Sequence, residues 1–386
     1  YDFTPVQHPA DDPLSDIVTT HFQFSHLHDT ILKLDELGHD IPTKYHMLEK
    51  YTNTSVLDVP MNAPEVYKLF EGIDVLGISP SDVGGMTLGT LGLPEFGTRF
   101  IQQVLTDAKP KNFADLMQIS GLTHGTDVWL GNAQDLIKAG TCTISEVVGT
   151  RDGIMLYLIR KGVEKGMAFK IMEMVRKNKK GKPIPDEMVE AMREHDVPEW
   201  YIDSCRKIKY MFPKAHAAAY VMSAIRLGWY KIHYPIEFYA GFLTVAPGGF
   251  DAATVMKGKG SINATIDEIE KKGNEATAKD ADTLFAMQLA RECVARKIEF
   301  LPVSLQKSDA TAFLPENGKI RLPFSSLSGL GATAAQKIID ARNEDSDIFS
   351  IEELRQRAGL TKAVIEILSE NGVLDGMSET NQISMF

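Results

Sequence analysis

Cysteine is scarce in this chain. Cys142, Cys205 and Cys293 are far apart, odd in number and free of any C-x-x-C spacing, which excludes a disulfide framework and a zinc ribbon and points to a reducing cytoplasm. No apolar run approaches the roughly 20 residues that a membrane span needs, so a soluble protein with no membrane partner is expected. There is no targeting segment, and the chain opens on Tyr1 and not on Met, so the front of a larger protein is expected to precede it. No solenoid repeat and no low-complexity tract occurs. Positive charge is also short, with 41 basic against 52 acidic residues and a net charge of −11. As a single number this argues against a nucleic-acid binder.

The distribution of charge reverses that argument. Residues 1–80 hold 13 acids and 4 bases, whereas residues 151–231 hold 10 acids and 17 bases. The front can hold cations while the middle can face a polyanion. Hydrophobic residues at 44 % and charged residues at 24 % of 386 are ordinary globular values, and the length predicts two or three domains.

Periodicity predicts a mainly α, multi-domain fold with minor β structure. Residues 21–37, HFQFSHLHDTILKLDEL, alternate as two strands about a turn at His28-Asp29. Helical patterns cover 61–71, 94–107, 132–139, 151–161, 166–177, 186–195 and 213–233, joined by Gly-, Pro- and Thr-rich links such as SGLTHGTDVWLGN. VAPGGFD at 245–251 reads as a linker, followed by helices and two strand-like pieces, IEFLPVSL and GKIRLPFS. The tail DGMSETNQISMF is polar until its last residues and is expected to be disordered alone.

In ILKLDEL the strand period places Lys33 and Asp35 on one face, about 6.6 Å apart. A carboxylate there can bind Mg²⁺ while the lysine neutralises a phosphate tail; a surface ion pair is the alternative. Two-metal chemistry needs further carboxylates, and Asp280/Asp282 and Asp345/Asp347 have D-x-D spacing but lie in loop-like sequence. Partners for Asp35 are therefore expected before Tyr1.

MFPKAHAAAY, residues 211–220, opens a helix with Pro213 at its first position. The first turn exposes free backbone N–H groups and the positive end of the dipole, so Lys214 and His216 form an anion pocket, with Tyr220 one turn on as a stacking platform. A core histidine and a snorkelling lysine are the alternative. Arg151 also opens a helix and can clamp a phosphate, unless it pairs with Asp152.

Residues 327–342, LSGLGATAAQKIIDAR, match a helix-hairpin-helix. Gly329 and Gly331 let the chain turn tightly and bring backbone N–H groups to a DNA phosphate, Lys337 and Arg342 lie nearby, and Ala335 and Ile338 pack the motif. IEELRQRAGLTKAVIEILSENGVL, residues 351–374, is a degenerate partner for it.

Taken in order, YDFTPVQ, LKLDELGHD, LGLPEFGTRF, SGLTHGTDVWLGNAQ, KYMFPKAHAAAY and NQISMF resemble the C-terminal third of a PolC-type DNA polymerase III alpha subunit, the replicative polymerase of low-GC Gram-positive bacteria. The resemblance implies residues 1–45 as the end of a polymerase palm, 46–245 as helical fingers, 246–376 as a duplex-binding domain with the helix-hairpin-helix, and 377–386 as a flexible tail. It implies that Asp35 is the third catalytic aspartate, sharing two Mg²⁺ ions with upstream aspartates, and that Lys33 sits beside the triphosphate. Arg151, Lys214, His216 and Tyr220 would bind the incoming nucleotide. Gln382, Ile383, Met385 and Phe386 resemble the peptide with which bacterial polymerases dock to the sliding clamp. The partners implied are primer-template DNA, deoxynucleoside triphosphates, the clamp and other replisome subunits, and the chain alone should not polymerise. The rival reading is a non-enzymatic helix-hairpin-helix DNA-binding or clamp-tethered adaptor, which leaves Lys33, Asp35, Lys214 and His216 without a purpose.

Overall fold

The computed structural model describes residues 2–27, 30–32, 34, 38–178, 181–246, 248–344 and 348–380. Lys33, Asp35 and the 382–386 peptide lie outside the described residues. Two units separate, Tyr1–Asp40 and Ile41–Phe386.

In the first unit, β1 (Val6–Gln7) pairs antiparallel with β2 (Thr19–Thr20), Val6 opposite Thr20. The hairpin expected over 21–37 is corrected here: none of the described residues of that stretch is a strand. Phe24–His26 instead curls into a 3₁₀ turn, because His26 N–H bonds the Gln23 carbonyl at 2.9 Å and Leu27 N–H the Phe24 carbonyl at 2.8 Å. Those local bonds use the donors that a strand ladder would need.

The second unit is helical. It begins with α1 (Ile41–Thr52), α2 (Pro64–Tyr67), α3 (Arg99–Ala108), α4 (Phe113–His124) and α5 (Gln134–Lys138). Four more helices follow, α6 (Arg151–Arg160), α7 (Lys165–Arg176), α8 (Asp186–Glu194) and α9 (Glu199–Lys207). The long α10 (Lys214–His233) and α11 (Pro235–Val245) cross the middle. Then come α12 (Ala252–Met256), α13 (Lys259–Lys272), α14 (Ala278–Ala295), α15 (Ala332–Arg342), α16 (Ile351–Arg357) and α17 (Lys362–Glu370). A small sheet precedes α15, with β5 (Lys319–Arg321) between β3 (Phe300–Leu301), parallel to it, and β4 (Leu314–Glu316), antiparallel.

Side-chain caps set many of the helix starts. Thr98, Asn112, Thr150, Asp251, Ser350 and Thr361 each accept a backbone N–H of the first turn, and Thr277 with Asp280 makes a capping box. Pro213 stands one residue earlier than expected, as the N-cap of α10. One buried core runs from Leu48 to Leu374, so residues on both sides of 246 share it. The Tyr51 hydroxyl donates to the Phe313 carbonyl at 2.7 Å and Phe313 N–H donates to Thr244 Oγ1 at 2.9 Å, which ties α1 and α11 to the loop before β4. No helix among the described residues is long and apolar enough to cross a membrane.

Lys231, near the end of α10, is wholly buried and meets the wholly buried Glu292 of α14 at 2.6 Å. Its other two protons go to the carbonyls of Gly89 at 2.9 Å and Leu91 at 2.7 Å. Tyr239 donates to the same Glu292 oxygen at 2.5 Å, and Arg296 donates to the Lys231 carbonyl at 2.8 Å. Burial pushes the Lys231 amine below its ordinary range and the Glu292 charge pushes it back.

Removing one partner strands the other charge in the core. Lys231→Met should therefore cost roughly 3–5 kcal/mol in urea unfolding, and a Lys231→Met, Glu292→Leu double variant should recover most of it. A single variant as stable as the parent would show the pair to be dispensable.

Candidate nucleotide and nucleic-acid sites

The start of α10 is built by chain segments remote in sequence. Residues 208–213 run extended past the end of α4, where Thr126 N–H bonds the Tyr210 carbonyl at 2.9 Å and Lys209 N–H bonds the Thr126 carbonyl at 3.1 Å. Met211 N–H bonds the Arg176 carbonyl of α7 at 3.2 Å, and Arg151 N–H of α6 bonds the Phe212 carbonyl at 3.3 Å. Gly121 lets α4 press on residue 149, since a Cβ there would overlap the Gly149 carbonyl. The first turns of α6 and α10 are thereby set side by side.

Asp152 links them. Its carboxylate accepts the Lys214 backbone N–H at 2.6 Å and lies 3.8 Å from the Arg151 guanidinium. The Lys214 ammonium makes no hydrogen bond or ion pair with any described residue. Two cations, Arg151 and Lys214, thus flank a helix start whose dipole is partly answered by Asp152.

The His216 ring is enclosed by aromatic neighbours. Phe212 lies at 5.0 Å, Tyr220 at 4.7 Å and His124, edge-on, at 5.5 Å between ring centres. Its Nε2 is buried without a partner. Burial, and then the charge of His124, hold its pKa below the ordinary histidine value, with Glu95 opposing. His216 is consequently neutral at neutral pH and offers a hydrogen bond, which leaves Lys214 and Arg151 as the charged members. His124 in turn binds the Ser120 carbonyl through Nδ1 at 2.6 Å and forms an ion pair with Glu95 through Nε2.

The second site is the pair of hairpins near the end. Gly329 takes φ +86°, Leu330 is buried, Gly331 caps α15, and Ala335 and Ile338 of α15 are wholly buried. One repeat later, Gly359 takes φ +57°, Leu360 is buried, Thr361 caps α17 and Leu368 is wholly buried. The two turns have the same left-handed glycine, buried leucine and helix cap. Lys337 is exposed. Arg342 is turned inward, its guanidinium donating to the carbonyls of Leu305 and Ser308 at 3.2 and 2.7 Å.

A family profile described as the bacterial DNA polymerase III alpha subunit finger domain matches residues 41–196. Those residues are similar to that finger domain. A helix-hairpin-helix profile matches 297–383. All 386 residues of the chain align with proteins named DNA polymerase III PolC-type, at 50 % identity in Halalkalibacterium halodurans, 49 % in Oceanobacillus iheyensis and 47 % in Bacillus subtilis. The chain spans 26–27 % of the length of these relatives. Arg151 falls inside the finger-domain match, and Lys214, His216 and Tyr220 follow its end.

The structure gathers Arg151, Lys214, His216 and Tyr220 into one cluster, while Gly329, Gly331 and Lys337 belong to the separate hairpin region. Sequence reasoning missed Glu95 and His124, which sit at the start of the 94–107 helical pattern and in the link SGLTHGTDVWLGN. No local spacing joins them to His216; only the fold does. Among the described residues no group of three or more His, Cys, Asp or Glu side chains is placed to hold a metal ion.

The two hairpin glycines differ in what they require. Gly329 is left-handed, and a Cβ there would come within 3.0 Å of Ile367, whereas Gly331 is in the extended region and a Cβ meets nothing within 4 Å. Gly329→Ala should cost about 1–3 kcal/mol in thermal unfolding and Gly331→Ala less than about 0.5 kcal/mol. Equal losses would contradict this assignment of backbone strain.

Proposed function

We propose that the chain works within a DNA-directed DNA polymerase that adds deoxynucleotides to a primer 3′ end during chromosome replication. The observation that carries this reading is the alignment of every residue with PolC-type relatives at about half identity. In this reading the first turn of α10 receives the triphosphate of the incoming nucleotide. Lys214 supplies charge from the helix start, Arg151 supplies it from the start of α6, and His216 and Tyr220 line the less polar side. Backbone amides of the two hairpins lie against duplex phosphates, a contact that does not depend on base sequence.

Lys33 and Asp35 belong to the same reading as phosphate partner and catalytic carboxylate. Two Mg²⁺ ions, which when bound neutralise charge on the reacting phosphate, would be held by Asp35 together with other carboxylates of the polymerase. The residues 382–386 would tether the enzyme to the sliding clamp through Gln382, Ile383, Met385 and Phe386, and other replisome subunits complete the set of partners. A cytoplasmic location goes with this work.

In the full-length polymerase, Lys214→Ala should raise the KM for nucleotide roughly tenfold and change primer-template Kd less than about twofold, because the lost contact is to the nucleotide. Equal losses in both would mean that Lys214 touches the template instead. Deleting residues 382–386 should abolish clamp-stimulated long products and spare clamp-free addition of a few nucleotides. Clamp stimulation that survives the deletion would remove the tether from this reading.

A further inference from the structure

Behind the first turn of α10 stands a second layer of side chains. Glu95 has φ +70°, a conformation that non-glycine residues keep only where their surroundings impose it. Its neighbours impose it here: Leu91, Leu93 and Phe96 are buried, and the carbonyls of Gly89 and Leu91 are held by Lys231. The result is a carboxylate aimed at the Nε2 of His124.

The protons of His124 follow from its partners. A carbonyl can only accept, so the Nδ1 facing Ser120 at 2.6 Å carries a proton. At the other nitrogen, Nε2, the ring meets the Glu95 carboxylate, so both of its nitrogens have a partner. That ring meets His216 at 72° and 5.5 Å, with Phe212 at 5.0 Å and Tyr220 at 4.7 Å completing the enclosure. Because the inward Nε2 of His216 has no hydrogen-bond partner, no bond of its own at that nitrogen fixes the ring. The surrounding rings do so, and His124 is the one whose own position is pinned at both nitrogens.

We propose that Glu95 is a positioning residue for the nucleotide pocket, acting through His124 to hold the His216 ring so that its Nδ1 meets an uncharged hydrogen-bonding group of the incoming nucleotide. This rests on the reading of the first turn of α10 as the nucleotide's place. The phosphates are left to Lys214 and Arg151, while Asp152 caps the helix beside them.

Single-nucleotide incorporation by the full-length polymerase tests it, with KM, kcat, primer-template Kd and Tm measured for each variant. Glu95→Gln is expected to raise nucleotide KM about tenfold with kcat and primer-template Kd within about twofold, and Glu95→Asp to recover part of the loss. The double variant Glu95→Gln, His216→Gln should be no worse than His216→Gln alone, because the two act as one unit. An unchanged KM in Glu95→Gln while His216→Gln raises it would overturn the proposal and leave the nucleotide pocket standing. Additive losses accompanied by a lowered Tm would also overturn it, reducing Glu95 to loop packing. If neither Lys214→Ala nor His216→Gln raises KM, the pocket reading itself fails and the role of Glu95 falls with it.

Discussion

The ammonium of Lys231 organises the second unit. A buried cation is tolerated only when each of its protons is answered, and the three acceptors here come from the loop at 89–91 and from α14. Satisfying one charge therefore fixes the loop, α10 and α14 relative to one another. A core of Leu and Ile alone could pack at this density but would not choose which loop carbonyls face inward. The polar group supplies that choice.

The same helix has its candidate site at the other end. With 20 residues, α10 is about 30 Å long, so its first turn is rigidly connected to a buried anchor near its last. The loop that Lys231 holds also continues to Glu95, which reaches the first turn by way of His124. Two routes, one through the helix and one through the loop, thus lead from one ion pair to the surroundings of His216. Distortion of either would be felt in the pocket as a displacement of aromatic rings of the kind that packed interiors resist.

Much of this was legible in the sequence where a single element carried the signal. The extent of α10, the turn of Gly329 and the buried Ala335 and Ile338 follow from local spacing. The α1, α4, α9 and α11 helices were not anticipated; α4 and α11 are too uniformly apolar to show a clean polar face, and α1 and α9 are mixed. The front alternates like a strand but is turned by local i to i+3 bonds, so period alone misled. Glu95 and His124 were invisible for a different reason: an ion pair between a loop and the end of a helix remote in sequence has no sequence period at all.

Near the end of the chain, most of the basic side chains are already spent internally. Arg321 is paired with Glu316, Arg357 with Glu344 and Glu353, Lys307 with Glu316 and Lys319 with Glu299, while Arg342 serves two carbonyls. Lys337 and Arg355 pair with no carboxylate among the described residues. A duplex lying on these hairpins would meet amide dipoles more than ammonium groups, and so would shed few condensed counterions on binding. Such a grip has a shallow dependence on ionic strength and no strong preference for one register over the next. It would let a bound duplex shift along the surface without being released.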